Sequence, residues 1–69
     1  MIFNGLDLRS IELISVAHNK YEFQGLSVDR PLLDDPIVVG SIGSGSSFLE
    51  IDTSTAYLFN KPTSAWYAL

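Results

Sequence analysis

The sequence predicts a mainly β fold, with small antiparallel hairpin and meander units joined by an extended Pro/Gly/Ser-rich segment. Three observations lead there. Tyr21 and Phe23 alternate with Glu22 and Gln24, the period of a half-buried strand. Phe48 to Phe59 reads as strand, turn and return strand, rich in aromatics and β-branched residues. Between these regions, Pro31, Pro36, Gly40, Gly43 and Gly45 interrupt every periodic pattern.

The elements follow in order. Asn4-Gly5 signals a turn within an N-terminal arm. Ile11 to Val16 is dominated by β-branched residues whose apolar positions do not share one helical face, so it predicts a strand. His18-Asn19-Lys20 is a turn in which Asn19 tolerates left-handed geometry. Residues 11–17 and 20–27 then form a hairpin, giving an N-terminal unit over 1–28. Residues 29–47 predict an extended linker, because two prolines exclude a central strand and discourage a helix. Residues 48–69 predict a three-strand meander. Its strands are Phe48 to Asp52, Ala56 to Asn60 and Ala65 to Leu69, with turns at Thr53-Ser54-Thr55 and Lys61-Pro62-Thr63-Ser64.

Size and composition restrict function. A chain of 69 residues leaves much of its surface in water. It has no cysteine for a disulfide, and His18 is its one histidine, so a zinc site of the usual Cys/His kind is excluded. Hydrophobic residues make up 46% and charged residues 17%, below the roughly 25% usual in soluble domains. That excess of apolar surface predicts self-association or a protein partner. The net charge is −4 and Arg9, Lys20, Arg30 and Lys61 are scattered, so no basic footprint for nucleic acid exists. No segment reads as a membrane span, a basic membrane-surface helix or a Sec signal peptide.

Candidate chemistry is sparse. Glu50 and Asp52 lie two apart on a predicted strand and so share a face, where a carboxylate pair can work as acid and base or simply solubilise the surface. Asp29, Asp34 and Asp35 fall short of a calcium loop and read as a solvated turn before Pro36. Gly40 to Ser47 resembles a phosphate loop in composition but lacks the following lysine and helix. His18 lies near Ser15 and Ser27 without a nucleophile elbow. No nucleophile, base and oxyanion donor are coupled, so the sequence predicts no enzyme and no cofactor. Phe48, Tyr57, Phe59, Trp66 and Tyr67 are the candidate interface residues, serving core and interchain contact. The alternative is a ligand, carbohydrate or host-protein platform on the Tyr57/Phe59/Trp66 face.

The run Gly45-Ser46-Ser47-Phe48-Leu49-Glu50-Ile51-Asp52-Thr53, followed by Tyr57-Leu58-Phe59 and Trp66, resembles a motif of small virion-associated proteins of tailed bacteriophages. Their pattern is Gly-Ser-x-Phe-x-Glu-Ile-Asp-Thr-Gly-x-x-Tyr-x-Phe-Asp, a short gap, then Trp. Gly25-Leu26-Ser27-Val28-Asp29-Arg30-Pro31 is similar to the Gly-Leu-Ser-Thr-Asp-x-x-Pro segment that often precedes it. Residues 1–24 lie outside the resemblance. Ser54 stands where the pattern has Gly, which predicts a wider turn or a different turn type, and Asn60 stands where it has Asp. The resemblance implies a non-enzymatic structural protein, made in the host cytoplasm and incorporated in the virion. Its place would be head decoration or a head–tail connector accessory. Its partner would be a larger structural protein or further copies of itself.

Overall fold

The structure is a computed structural model that describes residues 1–69. It is mainly β, as predicted. The strands are β1 (Ile2–Phe3), β2 (Leu6–Asp7), β3 (Glu12–Ala17), β4 (Lys20–Gly25), β5 (Ser47–Glu50), β6 (Thr55–Asn60) and β7 (Ala65–Ala68). β1 and β2 form a small antiparallel hairpin. Asn4 and Gly5 both have positive φ, 48° and 88°, as a two-residue type I′ turn requires. The other five strands form one sheet in the order β3-β4-β5-β6-β7.

The hairpin and the meander are thus edge-sharing parts of one mixed sheet. β4 and β5 pair in parallel, with Phe23 opposite Phe48 and Gly25 opposite Glu50. A parallel pair needs a long crossover between its strands. Residues 26–46 supply it, so the extended linker expected over 29–47 is not what the structure shows. Ser27–Asp34 is a 3₁₀ helix and Pro36–Val39 is the short α-helix α1. Runs of 3₁₀ beyond one turn are uncommon, and here Pro31, which has no N–H, falls midway along the run. Pro36 sits in the first turn of α1, where a missing N–H costs nothing. Asp35 caps that turn by accepting the Ile37 N–H at 2.9 Å. Both prolines therefore fit helical turns instead of forbidding them.

The crossover lies against one face of the sheet and contributes Leu33, Val38 and Ile42 to the core. The β1–β2 hairpin adds Phe3, which meets Tyr21 and Phe23 edge-on at 5.8 and 5.7 Å. Leu8 and Ile11 follow it into the core, where Phe23, Phe48 and Phe59 rise from the sheet. At Gly25 the sheet passes so close to Ile11 that a Cβ would lie 2.8 Å from its Cα. Ser46, fully buried, accepts the Tyr21 N–H at 3.0 Å, and its hydroxyl lies 2.7 Å from the Gly43 carbonyl oxygen. That contact pins the crossover's end to the β3–β4 hairpin.

The turns differ from expectation in where they place left-handed backbone. In the β3–β4 loop the positive φ, 58°, belongs to His18 and not to Asn19. Positive φ at the first loop residue is the type II′ arrangement. Ser54 itself adopts φ 60°, so serine holds the left-handed position without a glycine, at the end of a four-residue loop between the paired Glu50 and Thr55. Its N–H reaches the Glu50 carbonyl at 2.8 Å. Ser64 does the same at the β6–β7 turn, with φ 51°.

Each of these serines holds a conformation that favours glycine. Ser54→Gly and Ser64→Gly are each expected to raise stability by roughly 0.5–1 kcal/mol, left-handed strain relieved less the glycine's extra chain entropy. Gly25→Ala is expected to lower it by about 1–3 kcal/mol through overpacking on Ile11. Urea midpoints measure all three, and a destabilised Ser54→Gly would contradict the turn geometry.

Candidate functional site

Alternation along the strands sorts side chains onto two faces. The inner face, under the crossover and the β1–β2 hairpin, takes Phe23, Phe48, Glu50, Tyr57, Phe59 and Trp66. The outer face has no covering element. There Leu49 pairs across to Ala56, and Leu58 to Tyr67. Leu69 donates its N–H to the Ala56 carbonyl at 2.9 Å and so continues the first of these rows. Leu49 and Leu58 are each 41% exposed, Tyr67 50% and Leu69 79%. Ile51, whose N–H bonds the Gly25 carbonyl at 2.9 Å, extends the parallel pairing and is also exposed. The β5–β7 half of this face carries no charged side chain within the strands. Its charges, Glu12, Lys20 and Glu22, lie on the β3–β4 half.

The five residues expected at an interface therefore divide. Phe48 and Phe59 are 0% and 2% exposed and belong to the chain's own core. Tyr57 and Trp66 are half-buried on the inner face. The Trp66 indole N–H donates to the Leu33 carbonyl at 3.0 Å and so anchors the crossover. Only Tyr67 stands on the outer face. Its hydroxyl lies 3.0 Å from Thr63 Oγ1, which steers the ring toward the β6–β7 turn. With Tyr57, Phe59 and Trp66 turned inward beneath the crossover, they form no exposed aromatic platform. Leu49, Leu58 and Leu69 are the outer-face residues that aromatic content does not reveal. Their signal is the other half of the same alternation.

The carboxylates also separate. Glu50 is 6% exposed and points inward, so it does not share a solvated face with Asp52. Thr53 donates its hydroxyl to Glu50 Oε1 at 2.6 Å. Tyr57 lies beside it, and burial, then the neighbouring Glu50, pushes the Tyr57 phenol above its ordinary pKa. The Arg30 guanidinium covers the Tyr57 ring at 5.2 Å and pairs with Asp34 at 2.8 Å. Its Nη1 is buried without a hydrogen-bond partner. This inward polar group closes the end of the core.

Asp52 accepts the Ser27 N–H at 2.9 Å and the Ser27 hydroxyl at 2.7 Å, tying the β5–β6 turn to the start of the crossover. Asp29 holds Ser10 in the same way, at 3.0 Å to its N–H and 2.5 Å to its hydroxyl. Asp34 and Asp35 are spent on Arg30 and on the α1 cap. No three His, Asp or Glu side chains converge as metal ligands. In the Gly40–Ser47 loop, the N–H groups of Gly43, Gly45 and Ser46 bond the carbonyls of Asn19, Phe59 and Gly43, so none of the three is free to cradle phosphate. Exposed His18 stands at the hairpin tip, while the Ser15 hydroxyl donates to Glu22.

The serine hydroxyls, and secondarily the serine N–H groups, hold Asp29 and Asp52 below the usual carboxylate range. A lowered folded-state pKa contributes stability above the unfolded value, near 3.9, that is lost as pH falls through the folded value. Asp29→Asn and Asp52→Asn are each expected to weaken the protein at pH 7 and to flatten the acid limb of stability below about pH 4. Urea titrations across pH 2–7 measure this. An unchanged acid limb in both variants would contradict the assigned latches.

No protein-family model matches the chain, and no curated protein or solved structure matches it.

Proposed function

We propose that this chain is a non-enzymatic structural component of a tailed-phage virion, a head decoration or head–tail connector accessory. In this reading it docks the open β5–β7 face of its sheet on a larger structural protein. The observation that supports docking is the outer face itself: an uncovered, uncharged sheet surface carrying Leu49, Ile51, Leu58, Tyr67 and Leu69. Exposed apolar surface of this kind marks association sites. The surface is open, with no element over it, which suits a protein partner better than a small ligand. The virion setting rests on the motif resemblance running from Gly25 to Trp66.

Leu58 is the residue to probe, because it stands at the middle of the patch and outside the core. Leu58→Asp is expected to fold with little change in urea midpoint and to lose incorporation by tenfold or more. The measurement is mass spectrometry of particles purified from cells carrying the encoding genome, with the variant supplied in place of the parent. Absence of the parent chain from those particles would overturn the reading, as would full incorporation of Leu58→Asp.

A further inference from the structure

We propose that two copies of this chain join edge to edge through β7, antiparallel and about a two-fold axis at Tyr67, into one ten-stranded sheet. This deepens the assembly reading above by naming a second copy as the occupant of the β7 edge.

The first ground is the hydrogen-bonding phase of the edge. On β6, Phe59 directs its N–H and C=O toward the β5 side, to Ser46 and from Gly45, at 2.8 and 3.0 Å. Leu58 and Ala56 therefore face β7, and the Leu69 N–H to Ala56 carbonyl bond fixes the same phase. It follows that Tyr67 bonds inward to β6, while Trp66 and Ala68 point their backbone groups away from the sheet. Two donors and two acceptors at alternate positions are what an added antiparallel strand requires.

The second ground is that one register satisfies all of them within the strand. Setting Trp66 opposite Ala68 of the second copy, and Ala68 opposite its Trp66, closes four backbone hydrogen bonds. Tyr67 then faces its own counterpart as a non-hydrogen-bonded pair. Moving the axis to Trp66 would require Ser64 to extend the ladder. Ser64 is held at φ 51° in the turn and cannot.

The third ground is shape. Directly opposed residues share a face. On the inner side the wide Trp66 indole meets the small Ala68 of the second copy. On the outer side the exposed Leu69 meets its small Ala65. In these two relations large opposes small, each occurring twice by symmetry, while at the axis the outer-face Tyr67 meets its own counterpart. The apolar outer patches become continuous across the junction, through Tyr67 and Leu58.

The fourth ground is the contrast with the other edge. β3 carries a bulge at Leu13/Ser15 and an exposed glutamate, Glu12, and the adjoining strand β4 adds the carboxylate of Glu22 opposite Ser15. Bulges and charges of this kind guard an edge against pairing. β7, Ala-Trp-Tyr-Ala, has no charge, no proline and no bulge. The chain's net charge of −4 therefore opposes self-pairing least along this strand.

The test uses the intact chain, which has no native cysteine. Opposed residues in a non-hydrogen-bonded pair have Cα atoms about 4.5 Å apart, within disulfide reach. Tyr67→Cys is expected to form a covalent dimer under mild oxidation, at least tenfold faster than Ser15→Cys on the β3 edge. The unmodified chain is expected to scatter light as a dimer of twice 7.6 kDa at high concentration. Ala68→Pro is expected to remain folded and monomeric, because the N–H it removes faces away from β6. A concentration-independent monomer for the unmodified chain overturns the pairing. So does equal cross-linking at Ser15→Cys, or a dimer that survives Ala68→Pro. Particle incorporation is read separately. A chain that is monomeric yet present in particles loses the pairing alone, and a dimer absent from particles loses the virion reading alone.

Discussion

The parallel junction of β4 with β5 is the constraint on which the other parts depend. It sets Phe23 beside Phe48 and so merges two locally encoded units over one core. Because parallel strands cannot be joined by a tight turn, it commits residues 26–46 to a return journey across the sheet. That journey covers the inner face, and no other element of the fold lies over the outer one. One-sided burial is thus a geometric result of the junction, and the open outer face follows from it.

The chain holds this arrangement without disulfide or metal ligand clusters. In their place, polar side chains tie distant segments at their ends. Asp29 grips Ser10, Asp52 grips Ser27, Ser46 binds the β3–β4 hairpin and Trp66 binds Leu33. Each tie spans at least 19 residues of sequence. Each satisfies backbone or hydroxyl groups that would otherwise be stranded at the rim of the core. The fold is therefore stapled by hydrogen bonds at the places where small proteins often use sulfur.

The local parts of this fold are legible in the sequence and the distant parts are not. Alternation at Tyr21 to Gln24 and at Tyr57 to Phe59, with Pro62 opening a turn, places the hairpin and meander strands within a few residues of where they lie. The parallel pairing leaves no comparable mark, since it depends on residues more than 20 positions apart. The crossover's helical turns are encoded by Asp35-Pro36, a cap followed by a first-turn proline, and by apolar Leu33, Val38 and Ile42. Reading the prolines only as breakers hides that signal. At the candidate site, aromatic content points to the interior, because Phe48 and Phe59 fill the core and Trp66 packs against it. The exposed surface is written in the intervening leucines. Glu50 follows alternation onto the inner face with Phe48, but its carboxylate reads as a surface group until Thr53 and Tyr57 are seen beside it.

The two faces of β5–β7 are interleaved letter by letter in the chain, and this has a consequence for how the protein can change over evolutionary time. Substitutions at 48, 50, 57, 59 and 66 are tested by folding. Those at 47, 49, 56, 58 and 67 lie on the uncovered face and bear little on the core. If the outer face docks as proposed, neighbouring positions answer to unrelated selections, the outer set to the partner and the inner set to the fold. Descendants of this chain could diverge in every second residue of the meander and still keep the same shape. Such divergence would leave likeness in the architecture long after it had faded from the sequence.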